Sequence, residues 1–279
     1  VEGIQDGGNK SGIPTINGSI VFDDRFCGKP LVFCGTGALM ADQVQDANSW
    51  EKPIFVGDLI VMAGGRVGKD GIHGATLSSS YIDADTPQSI VQIGSPMTQK
   101  RLADFMQEAC SKGLIQSSTD NGAGGLSSSV GELAEITGGA EVFLEKVPLK
   151  YNGLKAWEIF VSESQERMTL VVPPKRMEDL TMMAQEYDVE IAEIGKFTDS
   201  GDLCVYLEEK LVACIDMEFL HHGLPQKELY AEWGKKLDAI GLERTAVTIR
   251  SADANPISPD ASVRKASVDA LKKTIDCCH

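Results

Sequence analysis

Short apolar runs alternate with glycine-rich and charged stretches along this chain. Asp58-Leu59-Ile60-Val61-Met62 is apolar at consecutive positions after its first residue, which predicts a buried strand. Ile16–Phe22 and Pro30–Thr36 predict two more strands, joined by the polar loop 23–29. Residues 1–12 read as the last turns of a helix, with Gly12 as its cap and Pro14 as its stop. Ser95-Pro96 starts a further helix, which carries Leu102, Phe105, Met106 and Ala109 on one face and closes at Gly113. Leu114–Thr119 predicts a strand ending at Asp120, and a helix opens at Ser127-Ser128-Ser129 and runs through Ile136. Arg167–Val172 reads as a strand, and Pro173-Pro174-Lys175 starts a helix to Tyr187 whose apolar side is Leu180, Met183 and Ala184. Val189–Phe197 and Leu203–Phe219 supply closing strands, with a turn near Glu208-Glu209-Lys210. Helices and strands mixed in this order predict an α+β or α/β layered domain. Ser49–Pro53 reads as a boundary between a first unit and this domain.

Composition narrows the class. The chain has 279 residues and a net charge of −15, which disfavours nucleic acid and anionic membranes as partners. An anionic ligand must therefore meet local cations, amide dipoles or a metal. No apolar run approaches the roughly 18–20 residues of a membrane span, and no signal peptide is visible. The opening at Val1 looks like mid-domain sequence, so a fragment of a longer chain is expected. The seven cysteines lack CxxC spacing and several sit in apolar runs, which predicts reduced thiols and a cytoplasmic protein.

The densest chemistry follows the buried strand. Glycines 64, 65, 68, 71 and 74 are interleaved with Arg66, Lys69 and His73. Glycine amides among cations can cradle a phosphate, although the spacing matches neither common nucleotide fingerprint, and a flexible turn is the alternative. A second glycine loop, Asn121–Gly125, begins beside Asp120. A carboxylate there suits Mg²⁺ held near phosphate oxygens, or simply caps the turn. Glu163-Ser164-Gln165 puts an acceptor, a hydroxyl and an amide in a row, which can fix a small polar ligand or merely start a strand. Asp23-Asp24 reads as a solvated loop, and His221-His222 lacks a third metal ligand at suitable spacing. Cys277-Cys278-His279 reads as a frayed terminus.

Four stretches in order, GGRVGKDGIHGATLSSS, VQIGSPMTQK, TDNGAGGLSSSVGELA and SESQERM, resemble the AIR-synthetase superfamily, and within it the formylglycinamidine synthases. The likeness covers roughly residues 1–225. It implies an α+β fold: residues 1–54 as the second half of an amino-terminal-type domain, 55–225 as a carboxy-terminal-type α/β layered domain, and 226–279 as a tail without assigned role. It implies an ATP-dependent ligase of purine biosynthesis that converts formylglycinamide ribonucleotide and glutamine-derived ammonia to the formylglycinamidine, through an iminophosphate. Gln92, Glu163, Ser164 and Gln165 would then contact substrate. Asp120 would hold Mg²⁺, and Gly64, Gly65, Arg66, Gly68, Gly71, His73 and Gly74 would shape the phosphate region. Ser95 departs from the Asp that many members carry there. The family's catalytic histidine, nucleotide lysine and first metal carboxylates lie in an ESHNHP-like stretch that this chain lacks, so no catalytic residue is assigned and the chain alone is expected to be inactive. The remainder of the synthetase and a glutamine amidotransferase are the implied partners. A non-catalytic interaction piece is the alternative, as is another superfamily member such as an aminoimidazole ribonucleotide synthetase or selenophosphate synthetase, against which SESQERM and TDNGAGG speak.

Overall fold

The computed structural model describes residues 2–27, 31–44, 47–77, 92, 94–223 and Lys265. Helix α1 (Glu2–Ser11) ends at Gly12, as its sequence predicts. A 3-10 turn (Asp24–Phe26) is capped by Asp23, and strands β1 (Gln43–Val44) and β2 (Ala47–Asn48) form a small hairpin. The strands predicted at Ile16–Phe22 and Pro30–Thr36 do not form among the described residues. Ile16, Val21, Phe22 and Phe33 stand exposed. A strand needs a ladder partner, and no described strand lies alongside these runs, so apolar patterning alone does not make them strands. Pro30 lies outside the described residues, as do the possible helix 262–274 except Lys265, and Cys277-Cys278-His279.

From Leu59 the chain builds a seven-stranded sheet: β3 (Leu59–Gly64), β4 (Ser117–Asp120), β5 (Ala140–Phe143), β6 (Arg167–Val172), β7 (Ile191–Phe197), β8 (Asp202–Leu207) and β9 (Lys210–Asp216). Their order is β4-β6-β3-β7-β5-β8-β9, antiparallel throughout except for the β5–β8 pair. β3 lies inside the sheet, with Met62 opposite Thr169 on one side and Ala192 on the other. Its side chains alternate between two cores. Ile60 and Met62 pack with Leu126, Val130 and Leu133 of α4 (Gly125–Thr137) and Ile159 of α5 (Ala156–Phe160). Val61 and Ala63 pack with Leu102, Phe105 and Ala109 of α3 (Pro96–Ser111) and Leu180, Met183 and Ala184 of α6 (Met177–Glu186). Helices on both faces explain why β3 is apolar without alternation. The short helices α2 (Gly74–Leu77) and α7 (Met217–His222) are the remaining α-helices among the described residues.

The boundaries shift from the sequence reading for local reasons. β4 begins at Ser117, because Leu114 donates its amide to Ala109 and is committed to closing α3. α4 opens at Gly125, since Gly124 caps it in the left-handed region. The predicted helix 173–187 divides into a 3-10 turn (Pro174–Arg176) and α6.

The cysteine reading needs correction. Cys204 and Cys214, taken as reduced thiols, form a disulfide. They face each other in the β8–β9 register with Cα atoms 4.2 Å apart, a pairing that emerges only once the hairpin exists. Among the described residues no metal-binding group of three or more His, Cys, Asp or Glu occurs, and no helix is long and apolar enough to cross a membrane. His221 instead lies near Glu135 and the carbonyl of Gly131.

Candidate functional site

β3, β4 and β6 bring Gly64, Asp120 and Arg167 to one end of the sheet: Gly64 pairs with Arg167, and Asp120 with Met168. The two glycine loops and the turn 162–166 meet there. Glu163 is 4% exposed and joins them. Its Oε2 accepts from the amide of Ala75 at 3.0 Å and from Gln92 Nε2 at 3.1 Å, and its Oε1 accepts from the amide of Gly124 at 3.2 Å. Segments far apart in sequence are thus tied to one carboxylate. Close backbone contact supports the knot: a Cβ on Gly125 would lie 2.0 Å from the carbonyl oxygen of Ser162.

The first loop differs from the expected amide cradle. The amides of Gly65, Val67, Gly68, Lys69, Gly74 and Ala75 donate to Glu166 O, Pro148 O, Ser164 Oγ, Tyr151 Oη, Gly71 O and Glu163 Oε2 respectively. In the second loop, Gly122 donates to Asp120, Gly125 to Gly122, and Gly124 to Glu163. The anion that these loops hold is the chain's own Glu163 carboxylate.

The loop's cations also turn elsewhere. Arg66 pairs with Glu190 at 2.7 Å and lines a cavity of about 650 Å³ with Arg101 and Asp188, which pair with each other. The Glu190 carboxylate raises the Arg66 pKa further. Lys69 Nζ lies 3.1 Å from Glu158, and His73 is exposed with φ 63°. Of the predicted residues, the geometry therefore brings together Gln92, Glu163, Ser164, Gln165, Gly71 and Gly74, and leads Arg66 away.

Ser164 Oγ accepts from the Gly68 amide and donates to Asp70 Oδ1 at 2.7 Å. Lys150 Nζ reaches both oxygens of Asp70, at 2.9 and 3.0 Å. Burial pushes the Asp70 carboxyl up, but the hydrogen bonds from Lys150 and Ser164 outweigh it and hold the pKa below the usual aspartate range. Gln165 Nε2 turns back to the carbonyl of Glu163 at 3.2 Å. Glu166 carries φ 55° and accepts from the Ser95 amide; burial pushes its carboxyl up, only partly opposed by that bond and by Lys150.

Asp120 Oδ1 accepts from the Gly122 amide at 2.9 Å, which is the turn-capping role. Its other oxygen takes no partner among the described residues, and Asp120 borders a cavity of about 430 Å³ with Leu102, Met106, Ser164 and Gln165. A single carboxylate is within what Mg²⁺ takes from a protein. Beside it, Asn121 Oδ1 accepts from Ser129 and Thr169, while its Nδ2 is buried without a partner among the described residues.

Sequence reasoning missed Asp70, Lys150, Glu166 and Arg167. Asp70 lies inside the quoted glycine stretch, and Glu166 and Arg167 inside SESQERM, so position was the available signal. Nothing local marks Lys150.

Residues 56–208 match the family described as AIR synthase related protein, C-terminal domain. The PurL subunit of phosphoribosylformylglycinamidine synthase from Methanopyrus kandleri is 36% identical over 234 residues, which cover 82% of this chain and 32% of that protein. Thermotoga maritima PurL complexed with FGAR superposes with a TM-score of 0.69 at 27% identity, covering 89% of this chain and 39% of that one. PurLQS from the same organism gives 0.63 at 25% identity, covering 89% and 38%. The chain spans about a third of the length of the curated relatives it matches. With the family matched across more than half of its length, in a region that includes both glycine loops and the turn at Glu163, the chain belongs to the AIR synthase related protein family.

Proposed function

We propose that this chain contributes one wall of a site for formylglycinamide ribonucleotide in an ATP-dependent formylglycinamidine synthase. The observation that carries the reading is the knot at Glu163, which gathers Gln92, the Ala75 amide and the Gly124 amide at the end of the sheet. Gln92, Glu163, Ser164 and Gln165 form the substrate wall. Glu163 and Ser164 act by holding the two loops, and Gln92 and Gln165, whose Nε2 groups donate to Glu163, would offer the ligand their amide oxygens. The glycine loop Gly64–Gly74 shapes the phosphate region through its backbone path. Asp120 would hold Mg²⁺, which neutralises charge on the phosphates of ATP.

On this reading ATP activates the substrate amide, ammonia displaces the phosphate, and ADP and phosphate leave. What these residues supply is positioning and desolvation of the ribonucleotide. The division at residues 54 and 225 is part of the proposal, as are the partners: the remainder of a synthetase, and an amidotransferase that delivers ammonia. The PurLQS assembly of a relative supports a multi-protein setting.

The test is calorimetric titration of the chain with formylglycinamide ribonucleotide. We expect binding that weakens at least tenfold in Gln92→Ala and Gln165→Ala. No heat up to millimolar ligand, or affinity unchanged from the unaltered chain in both variants, overturns the assignment. The chain alone is expected to release no ADP with the ribonucleotide, ATP, Mg²⁺ and ammonium chloride.

A further inference from the structure

β6 begins with a cation that has no carboxylate partner among the described residues. Arg167 is 4% exposed. Its Nε donates to the carbonyl of Ser164 at 2.7 Å and its Nη2 to the carbonyl of Ser162 at 2.5 Å, while Nη1 lies 4.0 Å from Met62 Sδ. Burial pulls the guanidinium down to about 10, only slightly offset by Asp70, so it remains protonated at neutral pH. Taking a cation out of water without a counter-ion is costly. A methionine here would fill the space and pack on Met62 without that cost.

What the cation holds explains its place. Its two carbonyl partners lie on either side of Glu163. The chain reverses between Glu163 and Arg167 through Glu166, whose φ of 55° is sparsely populated for a residue with a side chain and persists only where its surroundings impose it. Glu166 is held from outside by the Gly65 amide on its carbonyl, at 2.8 Å, and the Ser95 amide on its carboxylate, at 2.9 Å. From inside the turn is held by Arg167 folding back beneath it. A planar fork reaches two acceptors at once, which an ammonium on a single stem does less well.

We propose that Arg167 is a positioning residue of the ligand site: by clamping the carbonyls of Ser162 and Ser164 it aims the Glu163 carboxylate at the Ala75 amide, the Gly124 amide and Gln92. What the site binds rests on the reading in the preceding subsection; the clamp does not.

The experiment uses the full chain with Arg167→Met, Arg167→Lys, Glu163→Gln and the double variant Arg167→Met/Glu163→Gln. Two quantities are read: the backbone ¹H–¹⁵N signals of Ala75 and Gly124, which donate to Glu163, and the affinity for formylglycinamide ribonucleotide. In folded Arg167→Met both signals move in the direction that Glu163→Gln moves them, and affinity falls at least tenfold. Arg167→Lys gives a smaller displacement in the same direction. The double variant binds no more weakly than the weaker single one, because both changes break the same link. Unmoved Ala75 and Gly124 signals in folded Arg167→Met, or additive losses in the double variant, overturn the proposal. If Arg167→Met does not fold, Arg167→Lys decides by the same signals. If the unaltered chain does not bind the ribonucleotide, the functional reading fails while the amide signals still judge the clamp.

Discussion

Gly71→Val should destabilise the chain far more than Lys69→Ala, two positions away in the same loop. Gly71 has φ 79°, and a Cβ there would lie 2.7 Å from Gln92 Cγ, 2.7 Å from Glu163 Cβ and 3.0 Å from the Glu163 carbonyl carbon. The left-handed backbone alone costs an L-residue about 1–2 kcal/mol, and a β-branched one more. Gln92 can swing aside, but the Glu163 carbonyl carbon is backbone, so either the loop or the turn must move. Moving Glu163 weakens its hydrogen bonds to Ala75, Gly124 and Gln92, and one such bond to a charged group is worth about 1.5–3 kcal/mol. The strain and the loss of one bond together come to about 2.5–5 kcal/mol. With a urea slope of about 1–3 kcal/mol/M, the midpoint falls by at least about 1 M. Lys69 is half-exposed; alanine removes its contact with Glu158 but keeps the amide that donates to Tyr151. Urea unfolding followed by far-ultraviolet circular dichroism gives the ordering: wild type and Lys69→Ala close together, then Gly71→Ala, then Gly71→Val. Coincident midpoints for Gly71→Val and Lys69→Ala would refute the argument that backbone path, not charge, is what this loop supplies.

Three further outcomes follow from the same geometry. Asp120→Asn should weaken Mg²⁺-dependent nucleotide or ribonucleotide binding by a synthetase containing this chain, read by calorimetry with and without Mg²⁺; an unchanged metal dependence removes Asp120 from the metal site. Asp70, held below its ordinary pKa, stabilises the fold above the usual aspartate range and loses that contribution as pH falls through its folded value. Asp70→Asn should therefore be less stable than wild type at neutral pH and converge with it in acid, and parallel curves of melting temperature against pH would contradict this. Glu163→Ala removes the carboxylate that accepts from the Gly124 amide and Gln92 Nε2, so the variant should bind inorganic phosphate more tightly than the unaltered chain, as measured by ³¹P line broadening; equal binding would mean that the loops receive phosphate without displacing Glu163.

The layered fold was legible wherever a helix or strand carried its own signal. Leu102, Phe105 and Ala109 fall on the buried face of α3, Ser95 caps it, and the continuous apolar run 59–63 is the strand covered on both sides. Reading failed where structure depends on a partner. Ile16–Phe22 has the composition of a strand, yet a ladder needs a neighbour, and none lies beside it among the described residues. Cys204 and Cys214 each look like a lone thiol, and only the β8–β9 register makes them a pair. Periodicity reports what a segment can bury against and is silent on which segment will be there.

The candidate site shows the same division at finer scale. The motifs around Gln92, Asp120 and Glu163 were legible as places where chemistry gathers, and Glu163 does bind Gln92 and the second loop. The allocation of donors was not legible, because a glycine-rich stretch reads alike whether its amides face a ligand or a carboxylate of the same chain. Here they face the chain. Six amides of the first loop already have acceptors, and Arg66 answers Glu190 on the far side of β3. A phosphate brought to this wall would compete with Glu163 for amides that cannot serve both. On the proposed reading, a metal at Asp120, whose second oxygen has no partner among the described residues, and cations from outside those residues would supply the neutralisation. On the proposed reading, a wall built in this way would orient a ligand by its shape and its amide oxygens and would leave the neutralisation of its charge to what binds opposite.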